Sequence, residues 1–109
     1  MKNVKMGFDV VPMQNGKSID LGLIMNSSDE RIIKFNEYLE QLGLEQQGGY
    51  EIEITNGDDV TRLDEAGKHI FGSGFELQCN LIIPTEKYTE MIEVTDQKQF
   101  INLVDSFKK

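Results

Sequence analysis

Apolar and polar residues alternate on both sides of the dipeptide Asn15-Gly16, and this pattern predicts a β-hairpin. Asn-Gly supplies the two positive φ angles that a type I′ turn requires. With these residues as the loop, Gln14 lies opposite Lys17. The predicted apolar pairs are Pro12 with Ile19, Val10 with Leu21, Phe8 with Leu23 and Met6 with Met25. A slip of one residue would turn the apolar set to the opposite face, so the alternation specifies the register.

A helix is predicted after this hairpin, because apolar residues then recur at helical spacing. Ser27 or Ser28 is the expected N-cap, with Glu30 completing a capping box after Ser27, and Gly43 is placed to end the helix. The expected core-facing stripe is Ile32, Phe35, Leu39 and Leu42, with Tyr38 at its margin.

A second amphipathic helix is predicted at the end of the chain. Thr95 is its expected N-cap, and the cations Lys108 and Lys109 follow its C-terminal end, where they are favourable. Its apolar face consists of Phe100, Leu103, Val104 and Phe107.

The chain between these helices predicts at least two strands. Residues 50–55 and 75–84 alternate apolar and polar side chains, which is typical of strands with one solvated face. Residues 46–49 are expected to form a loop and Asn56-Gly57 a turn. Residues 58–73 are expected to be mostly irregular because glycines interrupt every longer pattern. The segment that contains Tyr88, Met91, Ile92 and Val94 is ambiguous.

The order of these elements predicts a single α+β domain over residues 1–109. We expect a mostly antiparallel sheet of four to five strands with two amphipathic helices packed on one face. A length of 109 residues suffices for a hydrophobic core. The absence of an export signal or a membrane-length apolar run, together with a lone Cys79 in a strand pattern, indicates a cytoplasmic protein with a buried thiol.

The net charge of −8 is concentrated in one part of the chain. Residues 35–65 contain nine acidic residues and only one basic residue, Arg62, whereas the remainder contains ten of each. On the first helix, Glu30, Glu37 and Glu40 share the face opposite the apolar stripe, and Ile33 lies among them with no core to enter.

The strand over residues 50–55 is expected to continue this negative charge. Glu51 and Glu53 point to one face of the strand about 7 Å apart, and Asp58-Asp59 are expected to extend their row beyond the turn. Such a row is either a solubilising surface or a docking site for a basic partner, because like charges repel unless a cation neutralises them. The candidate partner-binding residues are Ile33, Glu37, Glu40, Glu51, Glu53, Asp58, Asp59, Asp64 and Glu65.

The sequence offers no pattern for catalysis, a cofactor or a metal. His69 is the only histidine, and no serine lies in a nucleophile motif. Asp64, Glu65 and His69 would be neighbours on a helix, but zinc sites usually recruit several Cys or His ligands. The glycines near Gly72 and Gly74 lack the spacing of a phosphate-binding loop. We therefore expect no enzyme, no metal and no cofactor.

In size, concentrated negative charge and lack of catalytic motifs, the chain resembles the small acidic antagonists encoded by phages and mobile elements, including anti-CRISPR proteins. This resemblance implies a non-enzymatic inhibitor that docks on a basic, nucleic-acid-binding site of a partner such as a CRISPR effector nuclease. Direct binding of nucleic acid is disfavoured, because phosphates and carboxylates repel.

Two alternatives remain open. The chain also resembles immunity proteins that neutralise bacterial toxins, and such a protein would use the same acidic surface. A third hypothesis is a small-ligand-binding or oligomeric structural domain in which the loop at Gly72 and Gly74 covers a pocket.

Overall fold

A computed structural model describes residues 6–22 and 29–107, which form six strands and three helices. The strands are β1 (Gly7–Gln14), β2 (Lys17–Ser18), β3 (Gln46–Gln47), β4 (Glu51–Glu53), β5 (Phe75–Pro84) and β6 (Thr89–Val94). The helices are α1 (Glu30–Leu42), α2 (Gly57–Phe71) and α3 (Gln97–Ser106). The predicted α+β class is confirmed, with one strand and one helix more than expected.

The six strands form one antiparallel sheet in the order β3-β4-β1-β5-β6. The long strands β1 and β5 pair over all of β1, from Gly7 opposite Ile82 to Gln14 opposite Phe75. The other edge of β1 is shared by β2, which pairs with its C-terminal end, and β4, which pairs with its N-terminal half. The first strand therefore lies at the centre of the sheet.

The predicted hairpin is confirmed at its turn. Asn15 and Gly16 have φ angles of 52° and 82°, as a type I′ turn requires. Gln14 lies opposite Lys17, and the Ile19 N–H donates to the Pro12 carbonyl over 2.9 Å.

Beyond Ile19 the predicted hairpin pairing is wrong. Leu21 turns away from β1 and its N–H donates to the Gly49 carbonyl. Val10 lies opposite Ile52 of β4 instead of Leu21, and the Ile54 N–H donates to the Phe8 carbonyl. The predicted partners Leu23 and Met25 lie outside the described residues. Residues 50–55 alternate strictly, whereas residues 23–25 are three consecutive apolar residues, so residues 50–55 are a strong competitor for the same strand edge.

Helix α1 ends where the sequence predicts but is capped by a different residue. Gly43 has a left-handed φ of 76° and terminates the helix. The N-cap is Asp29, whose carboxylate accepts the Arg31 N–H, rather than Ser27 or Ser28, which lie outside the described residues. Within the predicted stripe Phe35 and Leu39 are fully buried, and Ile32, Tyr38 and Leu42 are half-buried.

Helix α2 contradicts the expectation that residues 58–73 are irregular. Its buried positions Val60, Leu63, Gly67 and Phe71 follow helical spacing. A Cβ at Gly67 would collide with the Phe75 ring, so this glycine allows β5 to pack closely on the helix. Gly67 is therefore a packing residue rather than a helix-ending one.

The start of α2 also differs from the predicted turn at Asn56-Gly57. Asn56 is the N-cap and Gly57 the first helical residue. The Gly57 N–H donates to the Asp105 carboxylate of α3 over 2.9 Å, and a Cβ there would lie 2.7 Å from Ile101. A neighbouring helix thus supplies the side-chain oxygen that a cap residue usually provides.

Among the remaining predictions, the strand over residues 75–84 is confirmed as β5. The ambiguous segment is strand β6, and the predicted loop at residues 46–49 contains strand β3. The strand predicted over residues 50–55 is limited to β4. Helix α3 begins after Asp96, whose carboxylate accepts the Gln99 N–H, and not after Thr95.

All three helices pack on one face of the sheet around a single hydrophobic core. Phe35 and Phe100 are the largest fully buried side chains. Phe35 contacts the rings of Phe71 and Phe75, and Phe100 contacts Phe8 edge to face. No helix in the described part of the chain is both long and apolar enough to cross a membrane.

Candidate functional site

Three carboxylates cluster on the face of the sheet that the helices do not cover. Phe8, Val10 and Ile52 are buried in the core, so their strand neighbours point to the opposite face. On that face Asp9 of β1 lies directly opposite Glu53 of β4, with Glu51 two residues along the same strand. Like charges directly opposite one another on neighbouring strands are destabilising.

The pKa of Asp9 records this environment. Partial burial of the carboxyl, with smaller contributions from the negative charges of Glu51 and Glu53, raises its pKa to about 6. A nearby cation would have the opposite effect and lower the pKa of this carboxyl. Within residues 6–22 and 29–107 no cation pairs with this cluster, and its repulsion is not offset there.

A groove with a volume of about 370 Å³ lies between the exposed side of α1 and the segment that leads into β3. Its apolar lining consists of Leu21, Ile33, Leu39 and Leu44. Three carboxylates, Glu37, Glu40 and Glu45, also line it and are exposed. The groove thus combines an apolar floor with an anionic rim.

A second groove, of about 310 Å³, connects the first to the sheet. Leu44 and Glu45 line both grooves, and Glu53 lines the second together with Gln47 and Thr55. The negative charge therefore continues from α1 to the outer face of β4 and β1. We call the six residues along this path the acidic surface: Asp9, Glu37, Glu40, Glu45, Glu51 and Glu53.

The acidic surface has no internal cationic partner in the described part of the chain. The ion pairs there join Arg31 to Asp29, Arg62 to Asp59 and Lys68 to Asp64. The Glu53 carboxylate accepts a hydrogen bond from the uncharged side-chain amide of Gln47 over 3.3 Å. Among the described residues the carboxylates of the acidic surface thus form no salt bridge.

Four of the predicted partner-binding residues belong to α2 and do not extend the row of Glu51 and Glu53. Asp58 and Asp59 lie in the first turn of α2, where carboxylates stabilise a helix. Asp59 is only 6% exposed and pairs with Arg62 over 3.4 Å. These two residues therefore have a structural role in α2, which was not predicted from the sequence.

The other two predicted residues on α2, Asp64 and Glu65, also lie apart from the row of Glu51 and Glu53. Asp64 pairs with Lys68 over 2.9 Å, and Glu65 is exposed. His69 is exposed near the end of the helix. No group of three or more His, Cys, Asp or Glu side chains within residues 6–22 and 29–107 is arranged to hold a metal ion.

Ile33 does not stand alone among carboxylates, as the sequence suggested. It is half-buried and lines the groove beside α1 with Leu21 and Leu44. The predicted residues Glu37 and Glu40 lie in the same groove, so the structure brings these three together.

Cys79 is a buried side chain of β5, as predicted. Burial raises the pKa of the thiol to about 12, with smaller contributions from Asp64 and Glu93. The thiol is therefore protonated at neutral pH and poorly nucleophilic.

Sequence reasoning missed Asp9 and the apolar residues Leu21 and Leu44. Asp9 lies outside the acidic segment of the chain, but the alternation of β1 places it on the outer face between Phe8 and Val10. Its proximity to Glu51 and Glu53 follows only from the pairing of β1 with β4. Glu45 was visible in the charge count, although no periodic pattern singled it out.

Comparison of the chain with protein-family models, with curated proteins and with solved structures finds no match in any of the three.

Proposed function

We propose that this chain is a non-enzymatic inhibitor or binding protein whose acidic surface docks on a basic surface of a partner protein. The observation that carries the proposal is the cluster of Asp9, Glu51 and Glu53, which has no ion pair within the described residues and in which burial and mutual repulsion raise the Asp9 pKa to about 6. A cationic surface would relieve this repulsion, so docking would remove a free-energy cost that the isolated fold carries.

The groove beside α1 supports a basic partner rather than a free metal ion. Arginine and lysine side chains carry long apolar stems that bury well while the charged head remains near carboxylates. Ile33 and Leu44 are half-buried and would contact such a stem, and Glu37 and Glu40 would contact the head. Arginine is also enriched at the energetic centres of protein interfaces.

The expected partner surface is one that ordinarily binds nucleic acid. Such surfaces are rich in lysine and arginine because they neutralise phosphates. A continuous anionic surface competes for the same cations. An inhibitor of a nuclease, including a CRISPR effector, is the function that this chemistry fits best.

A charge-neutralisation experiment tests the proposal. The acidic variant carries Glu51→Gln and Glu53→Gln, and the matched control carries Asp58→Asn and Glu65→Gln, which remove the same charge from α2. We expect the acidic variant to recover at least about tenfold less partner from extracts of the native cells, while the control retains partner. Docking should also weaken as salt is added.

Equal partner recovery by the acidic variant and the wild type would overturn the proposal. The identity of the recovered protein separates the two related functions: a nucleic-acid enzyme supports an inhibitor of the proposed kind, and a toxin domain identifies an immunity protein.

A further inference from the structure

Strand β6 forms an open edge of the sheet whose free backbone groups can be assigned. In an antiparallel ladder, successive residues direct their N–H and C=O groups alternately to the two sides of the strand. The Thr85 N–H donates to the Tyr88 carbonyl, and the pairing continues without interruption to Cys79 opposite Val94. Residues 90, 92 and 94 therefore face β5, whereas residues 89, 91 and 93 face outward.

No strand pairs with this outward side within the described residues. Six backbone groups, the N–H and C=O of Thr89, Met91 and Glu93, are thus available to a further strand. Natural proteins usually protect such an edge with charged side chains, most often lysine, with proline or with a bulge. The sequence of β6, Thr-Glu-Met-Ile-Glu-Val, has two glutamates but no lysine or proline, and its register with β5 has no bulge.

The edge also carries one exposed apolar side chain on each face of the sheet, together with one glutamate. Met91 is 52% exposed and lies beside Ile82, whereas Ile92 is 46% exposed and lies beside Leu81 on the other face. Tyr88, at 61% exposure, precedes the strand. An added strand would cover these side chains as well as satisfy the backbone.

The charges of β6 are compatible with a second copy of the same strand. In a two-fold antiparallel pair, outward residues must lie opposite outward residues. This requirement excludes the register that would place Glu90 against Glu93 of the second copy. The register centred on Met91 instead places Glu90 opposite Ile92 and Thr89 opposite Glu93, and it matches all three outward residues of each copy.

We propose that two copies of this chain associate through antiparallel pairing of their β6 edges about a two-fold axis at Met91. The two sheets then form one continuous sheet. This inference is independent of the proposed function, because β6 contributes no residue to the acidic surface.

The position of the acidic surface determines how salt acts on this association. Strand β4 is separated from β6 by β1 and β5, which places Glu51 and Glu53 about 14 Å from the edge. That distance exceeds the screening length of about 8 Å at physiological ionic strength. Repulsion between the acidic surfaces of the two copies is therefore screened in physiological salt, and screening of Glu90 and Glu93 in the contact itself strengthens association as salt is added. Docking on a basic partner responds to salt in the opposite direction.

The contact is small, because a six-residue strand is only about 20 Å long. We therefore expect dissociation constants of about 10–100 µM rather than nanomolar values. Sedimentation equilibrium of the full chain, from micromolar to millimolar concentration at low and high salt, measures this range. A dimer that strengthens with salt is the expected result.

Variants at Met91 test the proposed register. Met91→Pro removes an outward N–H but leaves the hydrogen bonds to β5 intact, whereas Met91→Ala shortens the side chain and keeps the N–H. We expect Met91→Pro to weaken association by at least about tenfold and Met91→Ala to weaken it less. Met91→Glu places two carboxylates opposite each other at the axis and should also abolish the dimer, at an exposed position that tolerates charge.

A wild-type chain that stays monomeric at millimolar concentration in high salt overturns the proposal, as does a folded Met91→Glu variant that dimerises like the wild type. Pairing of β6 only with a strand of a different protein would also overturn it. Because these variants leave the acidic surface unchanged, partner recovery with Met91→Glu reports separately on the proposed function.

Discussion

At the scale of single residues, Asp9 is the most informative side chain. It is half-buried on the outer face of the sheet and lies opposite Glu53. An acidic group whose pKa is raised in the folded state favours folding at low pH, where the carboxyl is protonated in both states. That stability is lost as the pH rises from about 4 through about 6, because the carboxyl of the unfolded chain ionises over this range while that of the folded chain stays largely protonated.

The variant Asp9→Asn should therefore be more stable than the wild type at pH 7 and equally stable near pH 3.5. After discounting for partial exposure, we expect a gain of about 1–2 kcal/mol at pH 7. Urea denaturation across this pH range measures the difference. Glu65→Gln, which removes the same charge from an exposed site on α2, is the control and should show little pH-dependent gain. A variant whose stability tracks that of the wild type at every pH would contradict this account.

Asp9 also shows which part of the candidate site could not be predicted from the sequence. The alternation of residues 7–14 places its side chain on the outer face, as β1 confirms. Extended outward from the Asn15-Gly16 turn, however, the predicted hairpin would have placed Gly22 opposite Asp9. Only the competition between two alternating segments for one edge of β1 decides that Glu53 lies there, and local patterns do not report that competition.

At the scale of elements, helix α2 was not predicted from the sequence, and this failure has an identifiable cause. Its glycines resemble turn signals, but Gly57 and Gly67 are required by close contacts with α3 and β5. These contacts join separate elements of the fold, so the pattern of residues within α2 contains no sign of them. The spacing of Val60, Leu63 and Phe71 was the signal that would have revealed the helix.

The contact between α2 and α3 supports a second stability prediction. Asp105→Ala removes the acceptor of the Gly57 N–H and a negative charge beside the N-terminus of α2. Loss of a cap of this kind costs about 1–2 kcal/mol, which urea denaturation resolves. Asp105→Asn keeps an acceptor and should lie between the alanine variant and the wild type. Unchanged stability in Asp105→Ala would show that solvent caps α2 equally well.

At the scale of the whole molecule, the charge is segregated rather than evenly spread. The sequence located the imbalance in residues 35–65, but the fold divides those residues between the acidic surface and α2. On α2, Asp59 and Asp64 are paired with cations of the same helix. A charge count along the chain therefore predicts that the surface is negative, but it does not predict which residues form that surface.

Segregated charge makes the stability of the monomer sensitive to salt. Screening of the repulsion among Asp9, Glu51 and Glu53 should raise the melting temperature by about 2–6 °C between 0.02 and 0.5 M NaCl, which corresponds to less than about 1 kcal/mol. Calorimetry at a protein concentration too low for association measures this shift. The variant with Glu51→Gln and Glu53→Gln should begin at a higher melting temperature and respond less. A response identical to that of the wild type would place the repulsion elsewhere.

The strand order β3-β4-β1-β5-β6 places Glu51 and Glu53 towards one edge of the sheet and the open strand at the other. A pair joined at β6 would consequently be two-headed, with its anionic faces at the far ends. Such a bivalent particle would hold an oligomeric or repetitive target by avidity, so that two individually weak contacts give slow release. Against a target with a single cationic site, the second head would add nothing.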